Sequence, residues 1–195
     1  MRGALDAMLT ELADELGGDV KLIRQHRDLR FSADRRPYKT RTYGLIVDRP
    51  DGGAVLYAEV SATGLFAGTG VHTMDSGQLA RFRAAVADDT TGPALERALG
   101  AADAAGAETF GEALKTAPRG YPRDHPRVRL LRHRALVAGR RLAPGDGGIA
   151  AGAALEHART TWAACAPMNA WLGEHVGAAA EPRRARGGRA RRSPV

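Results

Sequence analysis

Three short apolar runs, joined by links too short to cross a sheet, constrain this chain most. Residues 43–48 (YGLIVD), 54–61 (AVLYAEVS) and 65–72 (LFAGTGVH) each have the length and residue types of a strand. Pro50-Asp51-Gly52-Gly53 separates the first two and Thr63-Gly64 the last two, and both are strong turn chemistry. A parallel connection needs a crossover of a dozen or more residues, so the short links suit antiparallel pairing. In 54–61 one face is close to continuously apolar, with Tyr57 and Glu59 on the other. Gly68 and Gly70 share a face of the third run, leaving room for a ligand or a packed helix, of which helix packing is the commoner reason.

Helical periodicity flanks this meander. Leu5, Met8, Leu9, Leu12 and Leu16 form one stripe over 4–16, and Gly17-Gly18 ends it. Residues 20–25 read as a first strand. Asp75 is an N-cap for a helix over 76–87, with Leu79, Phe82, Ala85 and Val86 inward. A second helix over 93–99 has Pro93 in its first turn. Residues 110–115 suit a short strand or turn, 128–133 a short helix, and 135–142 a further strand. Pro144-Gly145-Asp146-Gly147-Gly148 is a turn, 149–164 an Ala-rich helix, and Pro167 opens a last helix with Met168, Trp171 and Leu172 on its apolar side. The class this predicts is α+β: a mostly antiparallel sheet of about five strands with helices packed on one face. One domain over 1–176 is expected, followed by a disordered basic tail over 177–195.

Charge is unevenly placed. Residues 181–195 hold six Arg and one Glu, so most of the formal net charge of +7 lies in the tail. The segment 183–192 resembles an Arg-Gly segment, which binds single strands or acidic partners through charge and stacking. A solubilising end is the alternative. Aromatics make up only 5% of the chain, which leaves few for base stacking. The single cysteine, Cys165, excludes an internal disulfide and a Cys-based metal cluster, and its Ala-rich setting makes it a core residue. The N-terminus is broken by Asp6, Glu11, Asp14 and Glu15 and is no signal peptide. No stretch approaches a membrane span, so a cytoplasmic location without membrane contact is expected.

The densest chemistry lies between the first two strands. Arg24, Arg27, Asp28, Arg30, Asp34, Arg35, Arg36, Lys39 and Arg41 fall within eighteen positions, with Phe31, Pro37 and Tyr38 among them. The run Arg24-x-x-Arg27-Asp28-x-Arg30-Phe31-Ser32-x-Asp34-Arg35-x-Pro37-Tyr38-Lys39-Thr40 resembles the RxxRDxRFSxDKxPYKT signature of the uncharacterised DUF2461 family. A second run, LKTAPRGYPRDHP at 114–126, resembles that family's LKRxPRGFPxDHP, and 167–176 resembles its C-terminal helix. The resemblance covers about 19–176. It implies a fold but no activity, since the family has none established. It also implies an additional N-terminal helical segment with Asn-Asn-x-x-Trp-Phe, after which this chain starts. Arg35 stands where Lys is usual in the family, keeping charge but altering hydrogen-bond geometry, and Gln25 stands where an apolar residue is usual.

Two readings of the motifs stay open. Arg24, Arg27, Arg30, Arg35 and Lys39, with Arg119, Arg123 and Tyr121 from the proline-rich run, form a candidate site for a small phosphate or carboxylate ligand. Asp28 and Asp34 would hold the guanidinium groups in place. Alternatively the same groups are an Arg-Asp network that braces two irregular loops. His125 and Asp28 are candidates for proton transfer, and His26 lies inside the first motif. Asp124-His125-Pro126 reads equally as a cap on the following helix. There is no HxH, HExxH, GxSxG or P-loop, so no metal or cofactor is expected.

Overall fold

The computed structural model describes residues 2–23, 41–50, 54–145 and 149–177. Its elements are α1 (Arg2–Leu16), β1 (Asp19–Leu22), β2 (Arg41–Val47), β3 (Leu56–Ser61), β4 (Gly64–Val71), α2 (Ser76–Ala87), α3 (Thr91–Ala104), β5 (Glu108–Phe110), α4 (Val128–Leu131), β6 (Leu136–Leu142) and α5 (Ala151–His175). The strands form one sheet in the order β1-β2-β3-β4-β6-β5, antiparallel throughout. The class is α+β, as the short links require. Among the described residues the sheet has six strands, because the three-residue β5 pairs with β6 at its edge.

Register separates the two faces of the sheet. Directly opposed residues share a face, so Thr42, Gly44 and Ile46 of β2 align with Leu56 and Ala58 of β3, Leu65 and Ala67 of β4, and Leu136 and Ala138 of β6. The helices cover this face. Ile46, Ala58, Ala67, Leu136 and Ala138 are all fully buried there. A Cβ on Gly44 would meet Leu22 Cδ2 at 2.8 Å and the end of Leu9, so α1 packs directly on a glycine. Trp162 of α5 donates from Nε1 to the Gly68 carbonyl at 3.1 Å.

Two core clusters lie under one layer of helices. Leu5, Leu9 and Leu12 of α1 pack with β2, β3, β4 and the first half of α5. Phe82, Val86, Leu95 and Leu131 of α2, α3 and α4 pack with β6 and the second half of α5. Burying an aliphatic side chain fully contributes roughly 1.5–3 kcal/mol, so α5, which enters both clusters, ties them into one domain.

Several expectations change in detail. Residues 149–164 and 167–176 are not two helices: α5 runs continuously through Pro167. Pro167 and Ala163, whose carbonyl lacks its usual partner, both lie on the exposed side of the helix, so water can satisfy that group. The second helix spans 91–104 rather than 93–99. Asp88, outside the helix, accepts from the backbone N–H groups of Thr90 and Thr91 at 2.8 and 2.9 Å. Asp75 is the α2 cap, in a full capping box with Gln78. Gly68 and Gly70 face away from the helices, so helix packing is not what they serve. A Cβ on Gly68 would meet the Phe66 ring at 2.7 Å, and one on Gly139 would also strike it. Gly70, at φ +128°, lies against the Leu136 carbonyl.

Candidate functional site

The second face of the sheet carries no helix among the described residues. Arg41, Tyr43 and Leu45 of β2, Tyr57 and Glu59 of β3, Phe66 of β4, Val137 and Arg141 of β6, and Phe110 of β5 share it by register. They line a groove of about 1280 Å³ that continues past the end of β4. Val55 and Phe110, at 39% and 40% exposure, are among the few large apolar side chains left open to solvent. An apolar patch of this kind on a sheet face makes it the candidate binding surface.

Aromatic rings run across the groove. Ring centroids lie 5.5 Å apart for Tyr43 and Tyr57, 6.0 Å for Tyr57 and Phe66, and 5.4 Å for Phe66 and Phe110. The glycines explain how they fit: Gly68 and Gly139 leave the sheet surface bare, and the Phe66 ring lies on it. Four of the chain's ten aromatic residues thus meet on one face of the sheet.

A charged row crosses the same surface. Tyr43, Glu59, Phe66 and Arg141 are successive partners across β2, β3, β4 and β6. Glu59 is only 7% exposed. Its Oε2 accepts from the Tyr57 hydroxyl at 2.5 Å and pairs with Arg41 Nη1 at 3.2 Å. Burial, reinforced by the hydrogen bond to Glu59 and by its charge, pushes the Tyr57 hydroxyl well above the ordinary tyrosine range, so it stays a donor. Arg141 donates to Thr63 Oγ1 at 3.1 Å, and its guanidinium lies 5.5 Å from the Phe66 ring centre. Among the described residues it has no carboxylate partner.

Of the candidates read from the sequence, Arg24, Arg27, Asp28, Arg30, Asp34, Arg35 and Lys39 lie outside the described residues, as does His26. The flanking residues are described: Ile23 donates its backbone N–H to the Tyr43 carbonyl at 3.1 Å, and Arg41 stands opposite Ser61. Both attachment points therefore sit at the hairpin end of the sheet, near Tyr43 and Glu59, with β3 and β4 between them and Arg141.

The second motif attaches at the other end. Leu114 bonds with Arg132, and Ala113 bridges His133, just before β6 begins. Arg119 and Arg123 are exposed, while Tyr121 packs half-buried against the α2–α4 core. Asp124-His125-Pro126 does not cap α4, whose N-cap is Arg127 with no side-chain cap bond; His125 Nδ1 instead accepts the Arg127 backbone N–H at 3.0 Å in the turn before the helix. Arg127 is the arginine of this region that is buried. It donates from Nε to the Val86 carbonyl at 2.7 Å and from Nη2 to the Ala87 carbonyl at 2.9 Å and Asp89 Oδ1 at 2.7 Å, closing the end of α2. Cys165 is fully buried, and burial raises its thiol pKa to about 11. His133 and His157 bond to the Ala135 and Arg140 carbonyls and stay neutral because burial lowers their pKa. Among the described residues no cluster of His, Cys, Asp or Glu is arranged to hold a metal, and no helix is long and apolar enough to cross a membrane.

Sequence reasoning did not single out Glu59, Phe66, Phe110 or Arg141, which the fold brings into the candidate groove. The signal available was the period-two pairing of Arg41 with Tyr43 and of Tyr57 with Glu59, opposite an apolar face. No curated protein and no solved structure matches the chain. A family model described as conserved hypothetical protein (DUF2461) matches residues 3–171. With most of its length matched, and with both motifs in place, the chain belongs to the DUF2461 family.

Proposed function

We propose that this protein binds a small anionic ligand with a flat apolar portion on the open face of its sheet. What supports the reading is one juxtaposition: a groove floored by aromatic rings with a buried carboxylate, Glu59, and a guanidinium lacking a carboxylate partner among the described residues, Arg141, in the same row. An arginine fork suits phosphate or carboxylate. The Arg/Asp motif over 24–39 enters this proposal as the source of further anion ligands, because its attachment points, Ile23 and Arg41, lie at the Tyr43 end of that row.

The test is a thermal-shift screen of the full chain against phosphates, sugar phosphates, nucleotides and carboxylates. A ligand that binds only the folded state stabilises by RT ln(1 + [L]/Kd), about 2.7 kcal/mol at a hundredfold excess over Kd. The expected hit is lost in Arg141→Ala and in Arg30→Ala and kept in Arg129→Ala, an exposed arginine of α4. A hit insensitive to Arg141→Ala, or a clean melt with no hit, rejects the groove as an anion site. The competing reading is an interaction module acting through the Arg-rich segment 183–192, and the concentration of charge there favours it. Deleting 178–195 separates the two, since a groove ligand survives the deletion and a tail contact does not.

A further inference from the structure

Resting on that binding reading, we propose that the ligand is a free mononucleotide whose base carries an amino group, with Glu59 as the residue that reads the amino group. The order of groups in the row selects the class. Glu59 and Arg141 are separated by the strand that carries Phe66, which places their backbones about 10 Å apart at the usual strand spacing. A ligand spanning them must have its hydrogen-bond donor and its anion at opposite ends, with a flat body between. An α-amino acid fails, because its ammonium and carboxylate sit on neighbouring atoms. A nucleotide fits, with the base over Phe66 and Tyr57 and the phosphate at Arg141. Aromatic side chains on an open sheet face are a stacking platform for any base, so the platform itself gives no discrimination.

Discrimination falls to Glu59. An ionised carboxylate only accepts hydrogen bonds. Both protein partners of Glu59 use Oε2, which leaves Oε1 without a donor among the described residues although the side chain is about nine-tenths buried. Oε1 itself keeps some exposure to solvent, so a ligand donor can reach it, and an amino group of adenine or cytosine supplies one. Uracil presents a carbonyl where cytosine has its amino group and would meet the carboxylate with like polarity. The row itself has one donorless carboxylate oxygen and, two strands away, one guanidinium, a span that takes one base and one phosphate, as a mononucleotide has.

The experiment is calorimetric titration of the full chain with AMP, CMP, UMP, ribose 5-phosphate and an adenylate hexamer. AMP and CMP are expected to bind at least about tenfold tighter than UMP and ribose 5-phosphate, the usual size of one charge-assisted hydrogen bond. Glu59→Gln, checked for a cooperative melt, should reduce the AMP-to-UMP ratio to about threefold or less, whereas Arg141→Ala should weaken all nucleotides alike. Phe66→Leu gives a second route: it should erase the preference for nucleotide over ribose 5-phosphate. Equal binding of UMP and AMP, or a ratio untouched by Glu59→Gln, overturns the role of Glu59. A hexamer binding more than tenfold tighter than AMP overturns the mononucleotide. Ribose 5-phosphate binding as tightly as AMP overturns the nucleotide and leaves the anion site standing, while binding of no anion at all overturns both.

Discussion

Replacing Arg127 by alanine would strip the end of α2 of several donor contacts at once, to the carbonyls of Val86, Ala87 and Asp88 and to Asp89. Hydrogen bonds from charged groups contribute about 1.5–3 kcal/mol each, and their sum is less than additive. Arg127→Ala is therefore expected to lower stability by about 3–4 kcal/mol in urea unfolding, with the midpoint shifted and the slope unchanged. Arg119→Ala, five residues beyond Leu114 on the exposed loop, should stay within about 0.5 kcal/mol. An equal effect of the two would show that exposure does not sort these arginines. Sequence could not make that distinction, because the two residues look alike and differ only in what the chain folds beside them. Arg127 lies just outside the 114–126 run that drew the eye, and it is the brace. Glu59 was legible as a residue on the face opposite the apolar one. Its burial was not, because it depends on Tyr57, Arg41 and Phe66 arriving from three strands.

At the scale of elements, the meander was readable because its links fix the pairing and period two fixes the faces. β5 was not, since three exposed residues carry no pattern, and only pairing with β6 makes them a strand. α5 was misread as two helices because proline normally stops a helix. Here packing overrides propensity: Trp162 and Cys165 before the proline and Met168, Trp171 and Leu172 after it are all buried on one side. Proline in a helix interior costs about 3 kcal/mol relative to alanine, offset by up to about 1 kcal/mol from the stiffer unfolded chain. With Pro167 exposed, Pro167→Ala is expected to stabilise by about 1–3 kcal/mol, read as a higher melting temperature. A lower melting temperature would mean that the proline shapes α5 to fit both core clusters, and that alanine loses that fit.

For the whole molecule, the shifted groups that titrate on the acid side, His133, His157, Asp88 and Glu15, all lower stability as pH falls, while the raised Tyr57 and Cys165 act only in alkali. His133 and His157 have folded pKa values below the ordinary 6.5, chiefly through burial. The unfolded chain therefore binds their protons first, so their contribution is complete above pH 6.5 and declines as pH falls below it. Asp88 is lowered chiefly by the backbone N–H groups of Thr91 and Thr90, and Glu15 chiefly by its hydrogen bond with Arg159, which joins α1 to α5. These carboxylates stabilise above their unfolded values of 3.8 and 4.5, and the contribution is lost as pH falls further. The basic chain also gains positive charge in acid, and self-repulsion adds to the decline. Melting temperature should thus hold from pH 8 to about 7, fall in a first step below 6.5, and fall again below about 4.5. His157→Gln keeps an N–H for the Arg140 carbonyl but cannot titrate, so it should flatten part of the first step. Asp88→Asn should flatten part of the second and leave the first intact. A melting temperature constant between pH 8 and 5 would contradict the buried neutral histidines. A first step unchanged in His157→Gln would assign it to His133 or to net charge, and His133→Asn at fixed ionic strength decides between them.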